Sequence, residues 1–530
     1  MARKTDHPDK TVLVSIDPAT WEEIGRVPLA GPDDVKRAVQ QAEEAFPGWS
    51  ARSVEERAAH LLKARDWLLA HLQEACDLIS RENGKPRSEA LMSEVFVVCD
   101  LITKYARKAP SILADRPIPL GNPYLRMTKA SHYHYRPLGV VTVVSPWNYP
   151  FAIPASGILF ALLAGNTVVF KPASDTALIG LWIHRMITEG GELPPGVMNT
   201  VVASGSAMGD TLFSPPVRKV VFTGSTEVGR KIQAVCARNF IPTVMELGGK
   251  DPAIVCADAD LELAANGVVW GALTNCGQVC ASVERVYVAR PVYDRFCQMV
   301  ADRVKALRVG KDREYDAEIG PLANAEQMET VEDHVRDAVE KGARVLAGGR
   351  RPPHLDRGWF YEPTVLADAN HTMKTMVEET FGPLLPLMPF DDEEEAIRLA
   401  NDSPYGLCAS VWTRDRQRGV RLARRLQAGT ITINDAVYTY GVVETPWQGV
   451  RESGIGRSHS DEGLLEFVYP HHINEDRSPS FMKRRLWWFP YTREVFELQQ
   501  RVVDTFLDLT RAPALVRGLL TRRDWRKAMY

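Results

Sequence analysis

The sequence predicts an α/β protein built on an open, mainly parallel sheet. Three short runs rich in β-branched and aromatic residues are typical of strands covered on both faces, at 140–144, 167–170 and 219–222. Each run leads into a polar or glycine-rich turn, and helical segments follow. This alternation is the pattern of a parallel sheet, in which ligands bind beyond the carboxyl ends of the strands. Asn148, Lys171 and Ser225 are therefore expected at that edge.

Length and composition restrict the classes of protein to consider. The 530 residues suggest about two to four domains, and 45% hydrophobic with 25% charged residues is ordinary for a soluble globular protein. A net charge of −3 argues against a nucleic-acid binder. Eight scattered cysteines without a CxxC pair argue against a disulfide framework or a zinc site, and favour a cytoplasmic location. We expect no signal peptide, because no apolar core follows the N-terminal charges.

The N-terminal third is expected to be mostly helical. Residues 11–30 are interpreted as two short strands about a turn, and a helix that begins at Pro32 is expected to end at Pro47-Gly48. A long helical region from Ser53 to Ile112, interrupted at 83–86, is expected to be scaffold. The uncharged stretch 137–170 is interrupted by prolines, so strand, loop, helix and strand are favoured over a membrane span.

Residues 124–135 are interpreted as one strand that places His132 and His134 on the same face. The pair could bind a metal, but an exposed or interface strand is favoured because no third ligand is evident. Further along the chain we expect strands at 243–245, 343–346 and 430–434, a helix near 325–342, and a charged helix start at 391–395.

Candidate site residues follow several of these elements. Cys280 lies among small and polar neighbours, so a reactive thiol and a packed thiol at a helix start both remain open. The turn Gly224-Ser225…Gly229 is looser than GxGxxG and fits either a structural turn or a phosphate site. Glu246 is followed by Leu247 and then by two glycines. It either reaches into a cleft or pairs with Lys250.

Taken together, the motifs resemble the aldehyde dehydrogenase superfamily over about residues 10–470. Seven separated motifs occur in the order in which the family has them, and Gly449 with Ser453-Gly-Ile-Gly456-Arg457 follows. The seven are Pro-Trp-Asn148, Lys171-Pro, Thr-Gly224-Ser225, Glu246-Leu-Gly-Gly-Lys250, Gly-Gln-Val-Cys280, Glu379-Thr-Phe381-Gly-Pro, and Asn434.

The resemblance implies a three-part architecture. A Rossmann-like dinucleotide-binding domain would comprise residues 1–120 and 139–247, and an α/β catalytic domain 248–450. A small β element from 121–138 and 451–472 would pair subunits into a homodimer or homotetramer. Residues 473–530 would form a C-terminal extension.

The resemblance also implies a chemistry. Cys280 would attack the aldehyde carbon as a thiolate, and the Asn148 amide with the Cys280 backbone N–H would stabilise the oxyanion. After hydride transfer to NAD or NADP, Glu246 would activate water to hydrolyse the thioester. No metal is expected.

Residues for the cofactor follow from the same resemblance. Lys171 would hold the adenine-side ribose, and Glu379 the nicotinamide-side ribose. Where NAD-preferring members often have Glu, this chain has Ser174, which would not repel a 2′-phosphate, so we expect NADP to be accepted. The remaining contacts would come from Gly224 and Ser225 at the pyrophosphate, Trp147 nearby, Leu247, and Phe381 against the nicotinamide ring.

Two residues that depart from the family pattern bear on the rate of hydrolysis, and the residues of the presumed substrate entrance bear on the choice of aldehyde. Gly157 and Ser458 stand where many hydrolytic members have Lys and Glu that pass a proton away from the base, so slow hydrolysis is a hypothesis. The entrance contains no arginine placed for a carboxylate, which favours uncharged aliphatic or aromatic aldehydes over a semialdehyde acid, the alternative substrate class. The entrance residues are Tyr149, Thr274, Val279, Ala281 and Tyr438.

Two alternative functions would be accompanied by different residues at these positions. CoA-acylating members of the family generally lack the base glutamate, so Glu246 argues against that activity. A non-catalytic structural or ligand-binding homologue would tend to lose Cys280, Glu246 or Asn148, and all three are present.

The last sixty residues have the composition of a folded segment. From 471 onward there are twelve Lys and Arg against seven Asp and Glu, and apolar residues recur at helical spacing between 495 and 509. An aromatic cluster occupies 487–491. We expect an arm that packs on a neighbouring subunit, in preference to one that binds an anionic membrane.

Overall fold

The computed structural model describes residues 11–312, 314–479 and 487–511. These residues form two compact units. The first contains 11–113 and 137–469, and the second contains 114–136 with the described residues of 470–511.

The elements of the N-terminal half alternate as the sequence predicts. In chain order they are β1 (Val12–Ile16), β2 (Glu23–Pro28), α1 (Pro32–Ser50), α2 (Val54–Ala70), α3 (Leu72–Asn83), α4 (Arg87–Glu89), α5 (Phe96–Ile112), β3 (Arg116–Pro117), α6 (Pro123–Thr128), β4 (Lys129–Pro137), β5 (Val140–Val144), α7 (Ala152–Leu163), β6 (Thr167–Lys171), α8 (Ala177–Arg185), β7 (Met198–Thr200), α9 (Gly205–Met208), β8 (Val217–Thr223), α10 (Thr226–Arg238) and β9 (Thr243–Glu246).

The C-terminal half contains a second set of alternating elements. They are β10 (Asp251–Val255), α11 (Leu261–Leu273), β11 (Val283–Ala289), α12 (Tyr293–Lys305), α13 (Ala325–Glu340), β12 (Arg344–Ala347), β13 (Thr364–Ala367), α14 (Lys374–Val377), β14 (Leu384–Phe390), α15 (Glu393–Asn401), β15 (Cys408–Trp412), α16 (Arg416–Ala423), β16 (Thr430–Ile433), β17 (Gly454–Ile455), α17 (Ser460–Leu465), β18 (Val468–Asp476) and α18 (Arg493–Arg511).

Two sheets organise the first unit. A six-stranded sheet has the order β17-β9-β8-β5-β6-β7 and is parallel except for β17, which pairs antiparallel with β9. A seven-stranded sheet has the order β12-β13-β14-β11-β10-β15-β16 and is parallel except for β12. Every residue of β5 is buried, as expected of a strand covered on both faces. The predicted α/β class is confirmed.

The second unit contains a small sheet of three strands in the order β18-β4-β3. The ion pair Lys129–Asp476 joins β4 to β18 at 2.9 Å, and the Ser131 hydroxyl donates to Asn474 Oδ1 at 2.8 Å. The helix α18 has the predicted helical spacing of apolar residues, and four aromatic side chains between 487 and 491 are exposed. The predicted tail also includes 480–486 and 512–530, which lie outside the described residues.

The expected end of the first helix at Pro47-Gly48 is wrong. The helix α1 continues to Ser50 although Pro47 has no N–H for the helical ladder. Trp49 lies beyond the proline, is 1% exposed and donates its indole N–H to the Leu162 carbonyl at 3.1 Å. This burial and hydrogen bond hold the last turn in place.

The expected strand over 124–135 begins later than predicted. Residues up to Thr128 belong to α6, and only Lys129 onward is extended. The first turn of this helix is capped by Asn122, whose side-chain oxygen accepts from the Leu125 N–H at 3.2 Å. In the strand, His134 Nδ1 lies 2.7 Å from Asp115 Oδ1. Within the described ranges no group of three metal-ligating side chains is found.

None of the helices in the described part of the chain is both long enough and apolar enough to cross a membrane. The segment 137–170 begins at the last residue of β4. It then forms β5, α7 and β6 with their connections, as predicted. All eight cysteines are free thiols.

Candidate active site

The loop that leads to Cys280 has an unusual backbone. Asn275, Cys276 and Gly277 follow α11 with φ angles of 50°, 57° and 73°. A Cβ at Gly277 would overlap the Gly382 carbonyl, so this close approach needs glycine. Cys280 itself lies in a turn ahead of β11 and is partly buried. The alternative of a packed thiol at a helix start is wrong.

The surroundings of Cys280 keep its sulfur protonated. Burial raises the pKa of this thiol well above its ordinary value, and the nearby carboxylates of Glu379 and Glu246 raise it further. Cys280 therefore rests as a thiol at neutral pH. Formation of the thiolate requires a proton acceptor within the site.

Asn148 contacts the same loop. Its side chain is 3% exposed, and its Nδ2 donates to the Gln278 carbonyl at 3.0 Å, two residues before Cys280. In return, Asn275 Nδ2 donates to the Asn148 carbonyl at 2.9 Å. The Asn148 amide is therefore fixed against the backbone of the cysteine loop.

A buried ion pair holds Asn148 from the other side. Lys85 Nζ donates to the Asn148 carbonyl at 2.9 Å and to Glu94 Oε1 at 2.6 Å, and neither charged side chain is exposed. Glu94 Oε2 accepts from the N–H groups of Phe151 and Ala152, at 2.7 and 3.0 Å. Sequence reasoning missed this pair, because a lysine in a predicted helix break and a glutamate in a helical region have no distinctive pattern.

Glu246 ends β9 and is buried. Its Oε1 accepts from the Ser458 hydroxyl at 3.2 Å, whereas Oε2 is buried without a hydrogen-bond partner among the described protein atoms. Burial raises the pKa of this carboxyl well above its ordinary value, and the Ser458 hydrogen bond opposes that rise. The alternative partner Lys250 pairs with Glu284 at 2.5 Å instead, so that interpretation is wrong.

A mainly apolar cavity of about 260 Å³ brings the Cys280 and Glu246 side chains together. Cys280 and Glu246 both line it, and so do all five residues of the predicted entrance, from Tyr149 to Tyr438. Exposed side chains of Met92 and Trp270 also belong to its wall. Asn148 reaches this region through its contact with the cysteine loop.

The two departures from the family lie in the wall of this cavity. Gly157 lines the cavity, and a Cβ there would lie 3.3 Å from Val221 Cγ1 and 3.6 Å from Val143 Cγ1, so glycine lets α7 pack closely on β8 and β5. Ser458 lies beside Glu246. The wall also contains Arg457, which was not considered as a substrate contact. Its side chain is exposed, and its Nε donates to Gln448 Oε1 at 3.1 Å.

His459 is a cavity residue that the sequence analysis missed. Its ring is 0% exposed and lies 4.4 Å from the Tyr440 ring, and no described protein atom hydrogen-bonds to either ring nitrogen. Its backbone has φ 62° and ψ 176°, a region that is essentially reserved for glycine. Burial lowers the pKa of His459 to about 4, so the ring is neutral at physiological pH.

Several predicted cofactor residues lie at the carboxyl ends of β6 and β8, the strands on either side of β5. Lys171 ends β6 and Ser174 begins the short turn that follows, while Gly224 and Ser225 follow β8. The Ser225 hydroxyl accepts from the Val228 N–H at 3.4 Å and so caps α10. One edge of the sheet therefore carries a lysine and a helix start, a combination that suits an anionic ligand.

A second group of residues joins this edge to the cysteine loop. Glu379 Oε1 accepts from the Gly249 N–H at 2.9 Å, and the Phe381 and Trp147 rings meet edge-on at 5.4 Å. Burial raises the pKa of Glu379 to about 8. A Cβ at Gly249 would overlap the Cys280 carbonyl, so the Glu246 loop and the cysteine loop meet through backbone alone.

Comparison with known proteins identifies relatives over nearly the whole chain. The sequence model of the aldehyde dehydrogenase family matches residues 4–473. A 4,4'-diapolycopene aldehyde oxidase from Methylomonas is 38% identical and aligns over 92% of this chain and 90% of its own. The NADP-dependent succinate-semialdehyde dehydrogenase GabD of Escherichia coli is 37% identical, with 85% and 92% covered.

Solved structures that resemble this chain are also aldehyde dehydrogenases. A betaine aldehyde dehydrogenase from Staphylococcus aureus, crystallised in complex with NAD⁺, superposes with a TM-score of 0.85 at 32% identity. The match covers 91% of this chain and 94% of that one.

Proposed function

The chain belongs to the aldehyde dehydrogenase family, and we propose that Cys280, Asn148 and Glu246 perform the family reaction on an apolar aldehyde held in the cavity. The enzyme oxidises aldehydes to carboxylic acids with NAD or NADP. The observation that supports these residues most directly is the shared cavity of Cys280 and Glu246, with Asn148 bonded to the cysteine loop.

In the first half-reaction, Cys280 gives its thiol proton to water in the cavity, and its Sγ bonds to the aldehyde carbon. The negative charge that forms on the aldehyde oxygen is stabilised by Asn148 Nδ2 and the Cys280 backbone N–H. Loss of one such donor typically slows turnover by on the order of 10² to 10³. The bound dinucleotide supplies the hydride acceptor, and a thioester remains on Cys280.

In the second half-reaction, Glu246 takes a proton from water as the water oxygen attacks the thioester carbonyl. The carbon–sulfur bond breaks, and the carboxylic acid leaves. The unpartnered Oε2 of Glu246 is the oxygen available for this proton, because Oε1 already accepts from Ser458.

The proposed cofactor site fits a dinucleotide on physical grounds. Lys171 and the start of α10 provide positive charge and N–H donors for phosphates and ribose, with Gly224 and Ser225 at the turn. Glu379 would hold the second ribose, and Phe381 with Trp147 would face the nicotinamide ring. Ser174 is uncharged, so we propose that NADP is accepted besides NAD.

The cavity wall supports an uncharged aliphatic or aromatic substrate. Its sides are mainly hydrophobic, and Glu246 and Arg457 are the acidic and basic residues of its wall. A semialdehyde acid is the second candidate, because Arg457 could meet a carboxylate and GabD acts on such a substrate. Comparing kcat/KM for decanal, benzaldehyde and succinate semialdehyde distinguishes the two.

The decisive test of the activity is NAD(P)H formation with a panel of aldehydes. We expect turnover with wild-type enzyme, and none with Cys280→Ala, while Cys76→Ala, a change at a buried thiol outside the cavity, retains it. Absence of NAD(P)H with every aldehyde would instead support a non-catalytic role. The product should be the free acid and not an acyl-CoA when CoA is present.

Assembly and location belong to the same proposal. The three-stranded sheet of the second unit supports subunit pairing, because β18 and β4 are both long and strongly polar strands with exposed residues. We place the enzyme in the cytoplasm as a homodimer or homotetramer. The division into dinucleotide-binding, catalytic and pairing parts with the predicted boundaries belongs to this proposal as well.

A further inference from the structure

Three buried polar atoms of the cavity lining have no hydrogen-bond partner among the described protein atoms. They are Oε2 of Glu246 and the two ring nitrogens of His459. Burial of an unsatisfied polar atom is unfavourable and rare in native structures, so each such atom calls for an explanation. The first atom has a purpose in the proposed reaction, whereas the histidine has none so far.

The backbone of His459 is strained, and contacts with its surroundings hold it in place. The residue has a backbone conformation that favours glycine, and Ser460 after it also has a positive φ of 62°. Such strain persists only when the surroundings over-determine it, and it is concentrated at functional sites. Here the Tyr440 ring packs on the imidazole, and the Ser460 N–H donates to the Val443 carbonyl at 3.0 Å.

Hydrolysis of the thioester requires a route that carries a proton away from Glu246, and no charged side chain beside Glu246 in the described residues provides one. Each turnover leaves a proton on Glu246, and it must leave before the next. Gly157 and Ser458 cannot carry a charge at this place. Ser458, His459 and the exposed Arg457 nevertheless line the same cavity as Glu246.

Resting on the proposed function, the geometry points to His459 as the residue that takes the proton onward from Glu246. The proton that Glu246 Oε2 removes from the attacking water passes through cavity water to one imidazole nitrogen. The opposite nitrogen then releases its own proton toward the exposed end of the cavity. One proton enters and one leaves, and the ring returns to a neutral tautomer.

The chemistry of the wall suits this role. Water in a cavity requires two to four polar partners, and Glu246, Ser458, His459, Ser156 and Tyr440 provide such groups in a mainly apolar lining. A neutral imidazole has one donor and one acceptor nitrogen, as a relay requires. His459 is a positioning residue in this scheme, since it acts on the substrate through Glu246.

The test uses the full-length enzyme and separates the two half-reactions. His459→Gly removes the ring, relieves the backbone strain and leaves space for free imidazole, whereas His459→Phe fills that space without nitrogens. In rapid mixing, we expect both variants to release the first equivalent of NAD(P)H at the wild-type rate. Their steady-state turnover should fall by on the order of 10- to 100-fold.

Free imidazole provides a readout that a purely structural role would not move. Imidazole should restore turnover in His459→Gly but not in His459→Phe. His184→Ala, a change at a histidine outside the cavity that contacts Thr200, should show neither the loss nor a response.

Several outcomes would overturn the inference. One is wild-type turnover in His459→Phe. Another is a loss of the first NAD(P)H equivalent that parallels the loss of steady-state turnover. A third is a loss of turnover in His459→Gly that free imidazole does not restore. Failure of the proposed function is distinguishable, because wild-type enzyme would then form no NAD(P)H and Cys280→Ala would not differ from it.

Discussion

The Ser458 hydroxyl donates to Oε1 of Glu246 at 3.2 Å, across the edge of the six-stranded sheet. Glu246 ends β9, and Ser458 follows β17, the strand that pairs antiparallel with β9. This contact brings together a residue of the first half of the chain and one near its end. It also supplies a hydrogen bond to a carboxyl group that burial otherwise disfavours in its charged form.

Substitution of the proposed base should separate oxidation from hydrolysis. In Glu246→Gln, the first NAD(P)H equivalent should still form, because hydride transfer precedes the step that needs the base. Steady-state turnover should fall by on the order of 10² to 10⁴. Rapid mixing followed by mass spectrometry should detect the acyl adduct on Cys280. If the first equivalent and later turnovers are lost equally, Glu246 does not act as the base of hydrolysis.

The pH dependence of turnover should reveal the environment of Glu246. Burial raises its pKa, and the base must be deprotonated to act, so turnover should increase with pH through a range above that of an ordinary carboxyl group. Ser458→Ala removes the hydrogen bond that opposes the rise. The ascending limb of its kcat–pH profile should therefore move to higher pH. A matched change at the exposed Ser111 should leave the profile in place, and an unchanged limb in Ser458→Ala would contradict the assignment.

The space at Gly157 should determine which aldehydes the cavity accommodates. A Cβ there would lie 3.3 Å from Val221 Cγ1, and Gly157→Leu would add a larger side chain to the wall of the cavity. We expect kcat/KM for decanal to fall roughly 10-fold or more, with acetaldehyde affected less, since a buried methylene group contributes about 0.8 kcal/mol. Gly157→Ala serves as the smaller step. Equal losses for both aldehydes would show that the space does not hold the substrate chain.

The residue after β6 should govern discrimination between the two dinucleotides. Ser174→Glu places a carboxylate where the 2′-phosphate of NADP would lie, and like charges at that distance repel. We expect kcat/KM for NADP to fall by about 10- to 100-fold, with that for NAD kept or raised. Ser174→Gln, of similar size but uncharged, controls for volume. A strong preference of the wild type for NAD would refute the expectation that NADP is accepted.

The C-terminal segment should contribute to assembly. A truncation after Ser478 keeps β18, which ends at Asp476, and keeps the Arg477 N–H donor to the Thr128 carbonyl at 2.7 Å. We expect the truncated enzyme to form a smaller oligomer in light scattering and to accept a different range of aldehydes. The double variant Trp487→Ser/Trp488→Ser tests the exposed aromatic cluster alone. Unchanged oligomer size and substrate range would disprove the arm.

Sequence patterns predicted the sheet and the edge at which the site lies. The buried strands β5, β6 and β8 are local patterns, and the direction of a parallel sheet then brings their carboxyl ends together. Local patterns failed where distant contacts decide the outcome. Pro47 predicts a helix end, but burial of Trp49 against α7 extends the helix.

The site was predictable where the chemistry resides in a motif, and not where it depends on support from elsewhere. Cys280 and Glu246 stand in distinctive motifs. In contrast, Lys85 and Glu94 have the sequence appearance of surface charges, and only folding shows that both are fully buried beside Asn148. His459 is equally inconspicuous, because its lack of hydrogen-bond partners is a property of the surrounding cavity.

The glycine at 249 has a practical consequence for redesign. Because its missing side chain allows the two loops to touch, any larger residue at 249 would overlap the Cys280 carbonyl and push the loops apart. Libraries aimed at new aldehydes should vary the periphery, such as Met92, Trp270 and Tyr438, and keep 249 and 277 constant. Selectivity can then evolve independently of the reacting geometry.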